Sequence, residues 1–346
     1  MVEPLSFWEF CQERINVFHK RFILKQEPPF STNKILEDYH WTWYARELDR
    51  TTLWFITHVL REDGAEEYPE DLLFSTLLMR WTNRPETYSL ILNACLDDGG
   101  ETTTALSPKE FLRNRIRIVK ALRDAEFSIW SHAYTIVSHK AGVPKYESIV
   151  NDLWTPIAKN PKKYLTPIVE ANNPQQAFDA IGKLPWHGGT GFMKYEEFCD
   201  ISYSSYFMDR WQTDSEQSIC NAGPGCIKGL KFVFPDQTAV QDEDFGSFSK
   251  NYFWFSWIQY LHNQQPKFDN LYQSRKLSLR GCEHLLCEYG KFRRLYEMIV
   301  NSGKATHQRK FLYNKDRDKE YLDMLGSQQF QDLYSDWRRL SPEGFV

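Results

Sequence analysis

Three glycines and a proline fall within seven residues of this chain, in the stretch Ala222-Gly223-Pro224-Gly225-Cys226-Ile227-Lys228-Gly229-Leu230. Such a stretch cannot lie inside a helix, because glycine destabilises a helix and proline breaks it. Apolar segments on both sides predict a tight turn between two helices, a helix-hairpin-helix. In that arrangement, backbone N–H groups of the turn and of the next helix face a nucleic-acid phosphate. Gly223, Gly225 and Lys228 are therefore predicted DNA contacts. The alternative is an ordinary turn between two core helices.

The rest of the 346-residue chain is dominated by apolar residues at helical spacing, with few alternating strand patterns. Ser107 and Pro108 are typical of a helix start, and a dense apolar run over residues 72–81 predicts a buried helix. We predict an all-α fold. One mainly helical domain is expected over residues 1–320, with a peripheral C-terminal helix over residues 321–346.

Composition excludes several classes of protein. The chain lacks an apolar run of about 18 residues and a signal-peptide pattern at its N-terminus, so we expect a cytoplasmic protein with no membrane partner. Seven cysteines without a CxxC pair are typical of free thiols. Because the net charge is −4, any DNA contact must come from a local basic patch.

One such patch is predicted on a helix over residues 108–126. Its cations are Lys109, Arg113, Arg115, Arg117, Lys120 and Arg123. The alternative is that this helix face contacts solvent and binds no partner.

Two arginine motifs suit a phosphate. Arg46 and Arg50 are predicted to lie one helical turn apart on one face, where two guanidinium groups suit a pyrophosphate. The alternative is an ion-pair cluster within the helix. Arg80 stands at the end of the long apolar helix, where it is expected either to point into a shared cleft or to cap the helix.

Two further motifs carry carboxylates. The glycine-rich residues 188–191 open a helix that reaches Asp200, but no Gly-Lys-Ser/Thr follows, so a Walker A loop is not predicted. Glu283 and Glu288 lie on a helix beside apolar leucines, where burial is expected to raise a carboxylate pKa. The alternative is a polar network in a helix bundle. Zinc is not predicted, because the nearby His and Cys residues lack a second ligand pair.

Five of these stretches, in this order, resemble the α-glutamyl/putrescinyl thymine pyrophosphorylase family. That family comprises phage amino acid:DNA transferases and relatives, including the helical domain attached to phage 5-hydroxymethyluracil DNA kinases. The resemblance extends over residues 7–300. It rests on the phrases Tyr44 to Arg50, Arg80 to Thr87, Gly189 to Phe192, Gly223 to Gly225 and Glu283 to Lys291.

The resemblance implies the helical fold of helix-hairpin-helix DNA glycosylases and a place in the host cytoplasm if a phage encodes the chain. It also implies transfer of an amine or amino acid onto pyrophosphorylated 5-hydroxymethyluracil in DNA. Glycine, glutamate and putrescine are the donors of the family, and a separate kinase prepares the base. Two positions depart from the pattern. Ile227 stands where lysine-type glycosylases place their lysine, and Trp43 stands where asparagine is expected.

The implied reaction needs a carboxylate base, cations for the pyrophosphate and aromatic rings for a flipped base. The candidate bases are Asp200, Glu283 and Glu288. The candidate cations are Arg46, Arg50, Arg80, Lys228 and Lys291, with or without Mg²⁺ as a cofactor. The candidate stacking residues are Trp43, Tyr44 and Trp186.

The implied partners are double-stranded DNA with a modified pyrimidine, the amine donor and a 5-hydroxymethyluracil DNA kinase. Two alternative functions fit the same residues: a DNA glycosylase acting on a modified pyrimidine, and a non-catalytic DNA-binding partner of such a kinase.

Overall fold

The computed structural model describes residues 4–96, 104–131, 142–187, 191–236, 247–303 and 310–345, and of residues 247–252 only the helical backbone. The described residues form helices and connecting segments, with no β-strand among them. Two isolated bridge pairs are Tyr39 with Lys310 and Arg275 with Phe345. The predicted all-α class is confirmed. The finer assignment to a helix-hairpin-helix glycosylase fold stays a prediction.

The α-helices in chain order are α1 (Phe7–Phe18), α2 (Lys34–Asp38), α3 (Arg50–Phe55), α4 (Pro69–Thr82), α5 (Pro85–Cys95), α6 (Pro108–Asp124), α7 (Lys145–Ser148), α8 (Thr155–Lys159), α9 (Pro161–Tyr164), α10 (Thr166–Val169), α11 (Pro174–Ile181), α12 (Phe192–Ile201), α13 (Ser205–Trp211), α14 (Pro224–Val233), α15 (Ser247–Asn263), α16 (Leu279–Ser302), α17 (Lys315–Leu325) and α18 (Gln328–Leu340). The π-helical turns are His19–Ile23, Ile56–Leu60 and Ile149–Trp154. The 3₁₀ turns are Arg46–Leu48, Ala65–Glu67, Ser215–Gln217, Tyr272–Ser274 and Pro342–Gly344.

The chain divides into two compact units. The first comprises Met1–Asp49, Glu216–Gly326 and Trp337–Val346, and the second comprises Arg50–Ser215 and Ser327–Asp336. No unit boundary falls at residue 320, where the sequence placed the end of a single domain, and that boundary stays a prediction. The segment expected to be peripheral contributes buried side chains, among them Phe330, Leu333 and Trp337.

The long helix α16 is the main element of the first unit. At 24 residues it is about 36 Å long. It begins where the Ser278 hydroxyl accepts a hydrogen bond from the Gly281 N–H at 2.9 Å, and it ends at Gly303, whose φ is 66°. Helices α1, α2, α14 and α15 pack against it.

Helices α14 and α16 cross at glycines. A Cβ atom added to Gly229 would lie 2.0 Å from the Leu286 carbonyl oxygen, and one on Gly225 would lie 2.3 Å from Cys287 Sγ. On the facing helix, a Cβ on Gly290 would lie 3.0 Å from the Gly229 nitrogen. Gly225 and Gly229 therefore allow backbone-to-backbone packing, a role that needs no nucleic acid.

The predicted turn has a helix on one side. Gly223 caps the start of α14, whereas residues 218–223 before it are not helical. The Gly223 N–H donates to the Asn221 carbonyl at 2.8 Å, which holds this segment in a turn. No helix directly precedes the glycines, and Gly225 and Gly229 lie inside α14, so the expectation that this stretch cannot lie inside a helix is wrong.

In the second unit, helix α4 forms the centre. Pro69 occupies its first turn, its residues from Leu72 to Thr82 are buried, and Asn83 ends it in a left-handed conformation with φ 51°. Helices α5, α10 and α12 pack against it. The run predicted to be a buried helix over residues 72–81 is confirmed.

Candidate functional site

Two of the sequence motifs meet in the first unit. Residues just before and within the Tyr44 to Arg50 phrase lie against the His284 to Lys291 face of α16. We call this group the Asp49–His284 cluster; its members are Thr42, Trp43, Asp49, His284, Glu288 and Lys291.

His284 lies at the centre of the cluster. Its Nε2 lies 3.0 Å from the Trp43 carbonyl oxygen, 3.1 Å from Thr42 Oγ1 and 4.0 Å from Asp49 Oδ2. A carbonyl oxygen can only accept, so Nε2 carries a hydrogen and donates to Trp43. In the neutral imidazole, Nδ1 is then the basic nitrogen.

Glu288 is buried and ion-paired. It accepts hydrogen bonds from the Lys291 ammonium and, at 3.3 Å, from the Thr42 N–H. Burial alone would raise the pKa of this carboxyl, but Lys291 and His284 outweigh burial and hold the pKa below its ordinary value. The predicted upward shift is therefore wrong for Glu288, which is an ionised anchor rather than a strong base.

Asp49 has the opposite environment. Burial raises the pKa of its carboxyl, against the influence of His284 and of the Trp43 N–H, which donates at 3.1 Å. The side chain is 26 % exposed, so it is accessible from solvent. A partly exposed carboxyl with a raised pKa is suited to accepting and releasing a proton.

Two cations accompany these carboxylates. Lys291 is 40 % exposed, and the charge of Glu288 raises its pKa. The buried Arg14 donates from Nη2 to the Thr42 carbonyl at 3.0 Å, and burial lowers its pKa to about 10 although Glu288 and Asp49 oppose the shift. Both side chains therefore stay charged near neutral pH.

The second unit pairs Arg80 with Asp200. Arg80 Nε and Nη2 donate to the two carboxylate oxygens at 2.6 and 2.5 Å, and Glu196 lies 3.4 Å from Nη1. Nη1 also donates to Asn83 Oδ1 at 3.0 Å. Arg80 and Asp200, predicted as a pyrophosphate ligand and a base, thus bind each other in a buried site. Their predicted roles in catalysis stay untested.

A fully buried triad lies beside that pair, and the sequence did not reveal it. Glu197 accepts from Trp81 Nε1 at 2.7 Å and contacts His187 Nε2 at 2.5 Å. His187 Nδ1 donates to the Pro185 carbonyl at 2.7 Å. Burial alone would lower the pKa of His187, but Glu197 and Pro185 outweigh it and raise the pKa. The sequence signal that could have indicated this triad is the helical spacing of the acidic residues in α12.

The arginines at 46 and 50 do not share a helix. Arg46 belongs to the 3₁₀ turn, Asp49 is extended with ψ 134°, and α3 begins only at Arg50. The predicted common helical face is therefore wrong, because the chain changes direction at Asp49. Arg50 lies 4.0 Å from Glu86, and Arg46 is mostly buried.

The remaining predicted residues have varied environments. Tyr44 is buried and its hydroxyl accepts from the Tyr272 N–H at 2.8 Å, so it is a core residue that offers no face to a base. Trp43 packs edge-on against Phe18 at 5.4 Å. Trp186 is half-buried against Trp81.

The remaining predicted positions are two DNA contacts and one candidate general base. Lys228 is exposed on α14, Gly223 has open space around it, and Glu283 is half-buried on α16. Residues 188–190 of the glycine-rich turn lie outside the described residues.

The unit assignment separates the predicted site residues. Arg46, Lys228, Lys291, Glu283 and Glu288 belong to the first unit, and Arg50, Arg80 and Asp200 belong to the second. The expected single cleft that gathers Arg46, Arg50, Lys228 and Lys291 stays a prediction.

A second buried ionic network in the first unit is structural. Arg275 lies 3.0 Å from Glu216 and 3.7 Å from Glu47, and it stacks on Trp337 at 3.3 Å. Arg280 lies 3.5 Å from the same Glu216. Its members are buried side chains whose charges compensate one another.

Across the part of the chain that the structure describes, no three His, Cys, Asp or Glu side chains come together as a metal site. None of the helices described is both long enough and apolar enough to span a bilayer.

Comparison with known proteins gives two findings. A family model described as the 5-hmdU DNA kinase helical domain matches residues 4–301. The chain is also 24% identical over 337 residues to the 5-hmdU DNA kinase of Bacillus phage SP10, an alignment that covers 90% of this chain and 48% of that protein. The chain thus spans about half the length of this relative. No solved structure matches the chain. The predicted relation to the kinase helical domain is confirmed, whereas neither match names a transferase.

Proposed function

Since the chain belongs to the family of 5-hmdU DNA kinase helical domains, we propose that it acts in DNA base hypermodification as a transferase. It would place an amine or amino acid on pyrophosphorylated 5-hydroxymethyluracil in DNA and release pyrophosphate. The observation that carries this proposal is the Asp49–His284 cluster. It combines a partly exposed carboxyl of raised pKa, an imidazole and a partly exposed ammonium group in one place.

The chemistry requires two bonds to change. The C–O bond between the base methylene and the pyrophosphate breaks, and a C–N bond to the amine forms. The leaving pyrophosphate keeps the electron pair of the broken bond, so cations that hold its charge lower the barrier. Lys291 is the accessible cation of the cluster, and Arg46 and Arg14 are buried cations of the same unit.

The attacking amine must give up a proton. Asp49 is the favoured acceptor, because burial moves its pKa toward the working pH. His284 lies 4.0 Å away and can stabilise the charged carboxylate or accept the proton at Nδ1. Glu283 remains a candidate from the sequence. Glu288 positions Lys291 and Thr42, and the carboxylate of Asp200 is occupied by Arg80.

The test is a reconstituted reaction. The full chain is incubated with duplex DNA that carries pyrophosphorylated 5-hydroxymethyluracil and with glycine, glutamate or putrescine. Mass spectrometry of the digested nucleosides should show one amine adduct, with stoichiometric release of pyrophosphate. Release of a free modified base with no adduct would instead identify a glycosylase.

A second function is favoured by the comparison itself. The alignment covers 48% of a protein named as a kinase, so the matched region is a part of a larger enzyme. The second candidate is therefore a non-catalytic DNA-binding partner of a 5-hydroxymethyluracil DNA kinase. It predicts DNA binding and faster turnover by an added kinase, with neither adduct nor pyrophosphate release in the reconstituted reaction.

A further inference from the structure

The outer face of helix α6 is basic along its whole length. It carries the exposed side chains of Lys109, Arg113, Arg117, Lys120 and Arg123, at helical positions i, i+4, i+8, i+11 and i+14. The opposite face is buried through Phe111, Asn114, Ile118 and Leu122. Arg115, which the sequence analysis predicts as a member of this basic patch, is half-buried and lies off this face.

This face keeps a positive excess. Without Arg115, residues 109–126 still contain five cations against three carboxylates, in a chain whose net charge is −4. Asp124 lies 2.7 Å from Lys120 and 2.8 Å from Arg123, and Glu110 lies 4.0 Å from Arg113. Those ion pairs are solvent-exposed, so they are weak and open readily when a stronger anion is present.

Two cations contact aromatic rings in the segment that directly follows α6 in the chain. The Arg84 guanidinium lies 5.1 Å from the ring of Phe127, which is 39 % exposed. The Lys145 ammonium lies 4.6 Å from the ring of Trp130. Arg84 also donates to the Ser128 carbonyl, which holds this segment in place.

We propose that this surface, the exposed face of α6 together with Phe127 and Trp130, binds the phosphate backbone of double-stranded DNA. Successive cations rise along the helix by about 6, 6, 4.5 and 4.5 Å and cover about 21 Å in all. One DNA strand rises about 3.4 Å per nucleotide, so the row spans about six phosphates. These contacts to phosphate groups do not depend on the nucleotide sequence of the DNA.

A membrane surface fits the same face less well. An interfacial helix places a broad apolar stripe in the lipid. Ile116, which is 79 % exposed, is the single large apolar side chain on the basic face of α6, and the apolar stripe of this helix is already buried in the protein.

The choice of DNA as the partner rests on the proposed function, but the test needs neither a donor nor turnover. Binding of an unmodified fluorescent 20-base-pair duplex is measured by anisotropy against salt, for the wild type and for a variant that combines R113E, R117E and K120E. We expect at least a tenfold loss of affinity. The slope of log K against log salt should fall by about 2 to 3, near 0.9 for each phosphate that the variant no longer neutralises.

The matched control combines K159E, K162E and K163E. These three exposed lysines belong to the same unit, and their reversal changes the net charge equally. The control should keep most of the affinity and the wild-type slope, and circular dichroism should show both variants folded.

Three outcomes would overturn the proposal: unchanged binding by the α6 variant, an equal loss in the control, or binding of phosphatidylserine vesicles with no binding of DNA. An α6 variant that still transfers amine and binds DNA like the wild type overturns this surface alone, and leaves the proposed reaction intact.

Discussion

Arg80 holds Asp200 with two hydrogen bonds, from Nε at 2.6 Å and from Nη2 at 2.5 Å, although 120 residues separate them in the chain. Both side chains are buried. The pair therefore joins α4 to α12, and each charge compensates the other. Breaking such a pair takes two hydrogen bonds from the buried guanidinium and leaves Glu196, 3.4 Å from Nη1, to compensate its charge in part, which is more costly than the loss of one hydrogen bond.

Substituting Asp200→Asn should therefore destabilise the protein. We expect the free energy of unfolding to fall by about 3 kcal/mol, the lower end of the usual range when one partner of a buried ion pair is removed, because Glu196 still faces Arg80. Urea unfolding followed by circular dichroism measures this change. Asp38→Asn is the control, because the exposed pair of Asp38 with Lys34 should contribute about 1 kcal/mol or less. A stable Asp200→Asn protein that has lost amine transfer would instead support a catalytic role for Asp200.

Substituting Gly229→Ala should disrupt the crossing of α14 and α16. The new methyl group would lie 2.0 Å from the Leu286 carbonyl oxygen, so the two helix backbones must separate. Overpacking of this kind usually costs about 1–3 kcal/mol, and contact with rigid backbone places this site at the upper end. The measurement is again the free energy of unfolding in urea.

Gly223→Ala is the matched comparison for that crossing. No atom lies within 4 Å of its Cβ position and φ is −68°, so alanine fits. A loss of about 1 kcal/mol or less is expected, from the weaker helix cap. Equal losses in the two variants would show that close packing at Gly229 does not hold the helices together. Lower DNA affinity of folded Gly223→Ala would support the predicted hairpin contact.

The sequence predicted helix ends well because their causes are local. Helix α6 begins at Pro108 with the Ser107 hydroxyl accepting from the Glu110 N–H at 3.1 Å, as the Ser-Pro pair indicates. The break at Asp49 was missed, because apolar residues over 41–61 keep near-helical spacing across it. The lowered pKa of Glu288 has a visible signal in the sequence, Lys291 three residues later, whose charge outweighs the burial that the neighbouring leucines cause.

Long-range pairing could not be predicted in the same way. Helical spacing shows that Arg80 and Asp200 each lie on a given face, but the helix packed against that face is determined by the whole fold. The same holds for the contact between Asp49 and His284, which unites two motifs more than 200 residues apart. The sequence therefore identifies both motifs of the candidate site, but it does not show that the two motifs are in contact.

The buried pair of His187 and Glu197 should make stability depend on pH. The pKa of His187 is raised in the folded protein, so its contribution is full below the unfolded value of about 6.5 and is lost as pH rises through the folded value. Glu197→Gln removes the partner. The wild type should lose more stability than this variant when the pH rises from about 6 to about 9.

The difference between the two proteins is the quantity to measure, by urea unfolding at several pH values. Other groups titrate in the same pH range, including Asp71, whose pKa burial raises to about 6, but they are common to both proteins. Lys194 opposes the shift of His187 and is also common to both. Parallel stability curves for the wild type and Glu197→Gln would show that the pair contributes no pH dependence.

Asp49→Asn should remove amine transfer while leaving the fold intact. Burial raises the pKa of Asp49, so its charge adds little to stability, and Glu288 still compensates Arg14 in the variant, so stability should change little. If Asp49 accepts the amine proton, the rate falls about 100-fold or more, the usual contribution of a general base. The wild-type rate should also decline as pH falls through the raised pKa of Asp49, and the variant should lack that decline. Pyrophosphate release against pH measures both effects.

Glu283→Gln is the matched variant, because Glu283 is the half-buried carboxylate of α16 that the sequence also predicts as a base. A wild-type rate in Asp49→Asn, together with a loss of about 100-fold in a folded Glu283→Gln, would transfer the role of base to Glu283. If each variant loses activity only in proportion to the fraction of protein that is unfolded, the cluster has no role in catalysis. In that case the Asp49–His284 cluster is a structural network, and the non-catalytic partner function is the one to pursue.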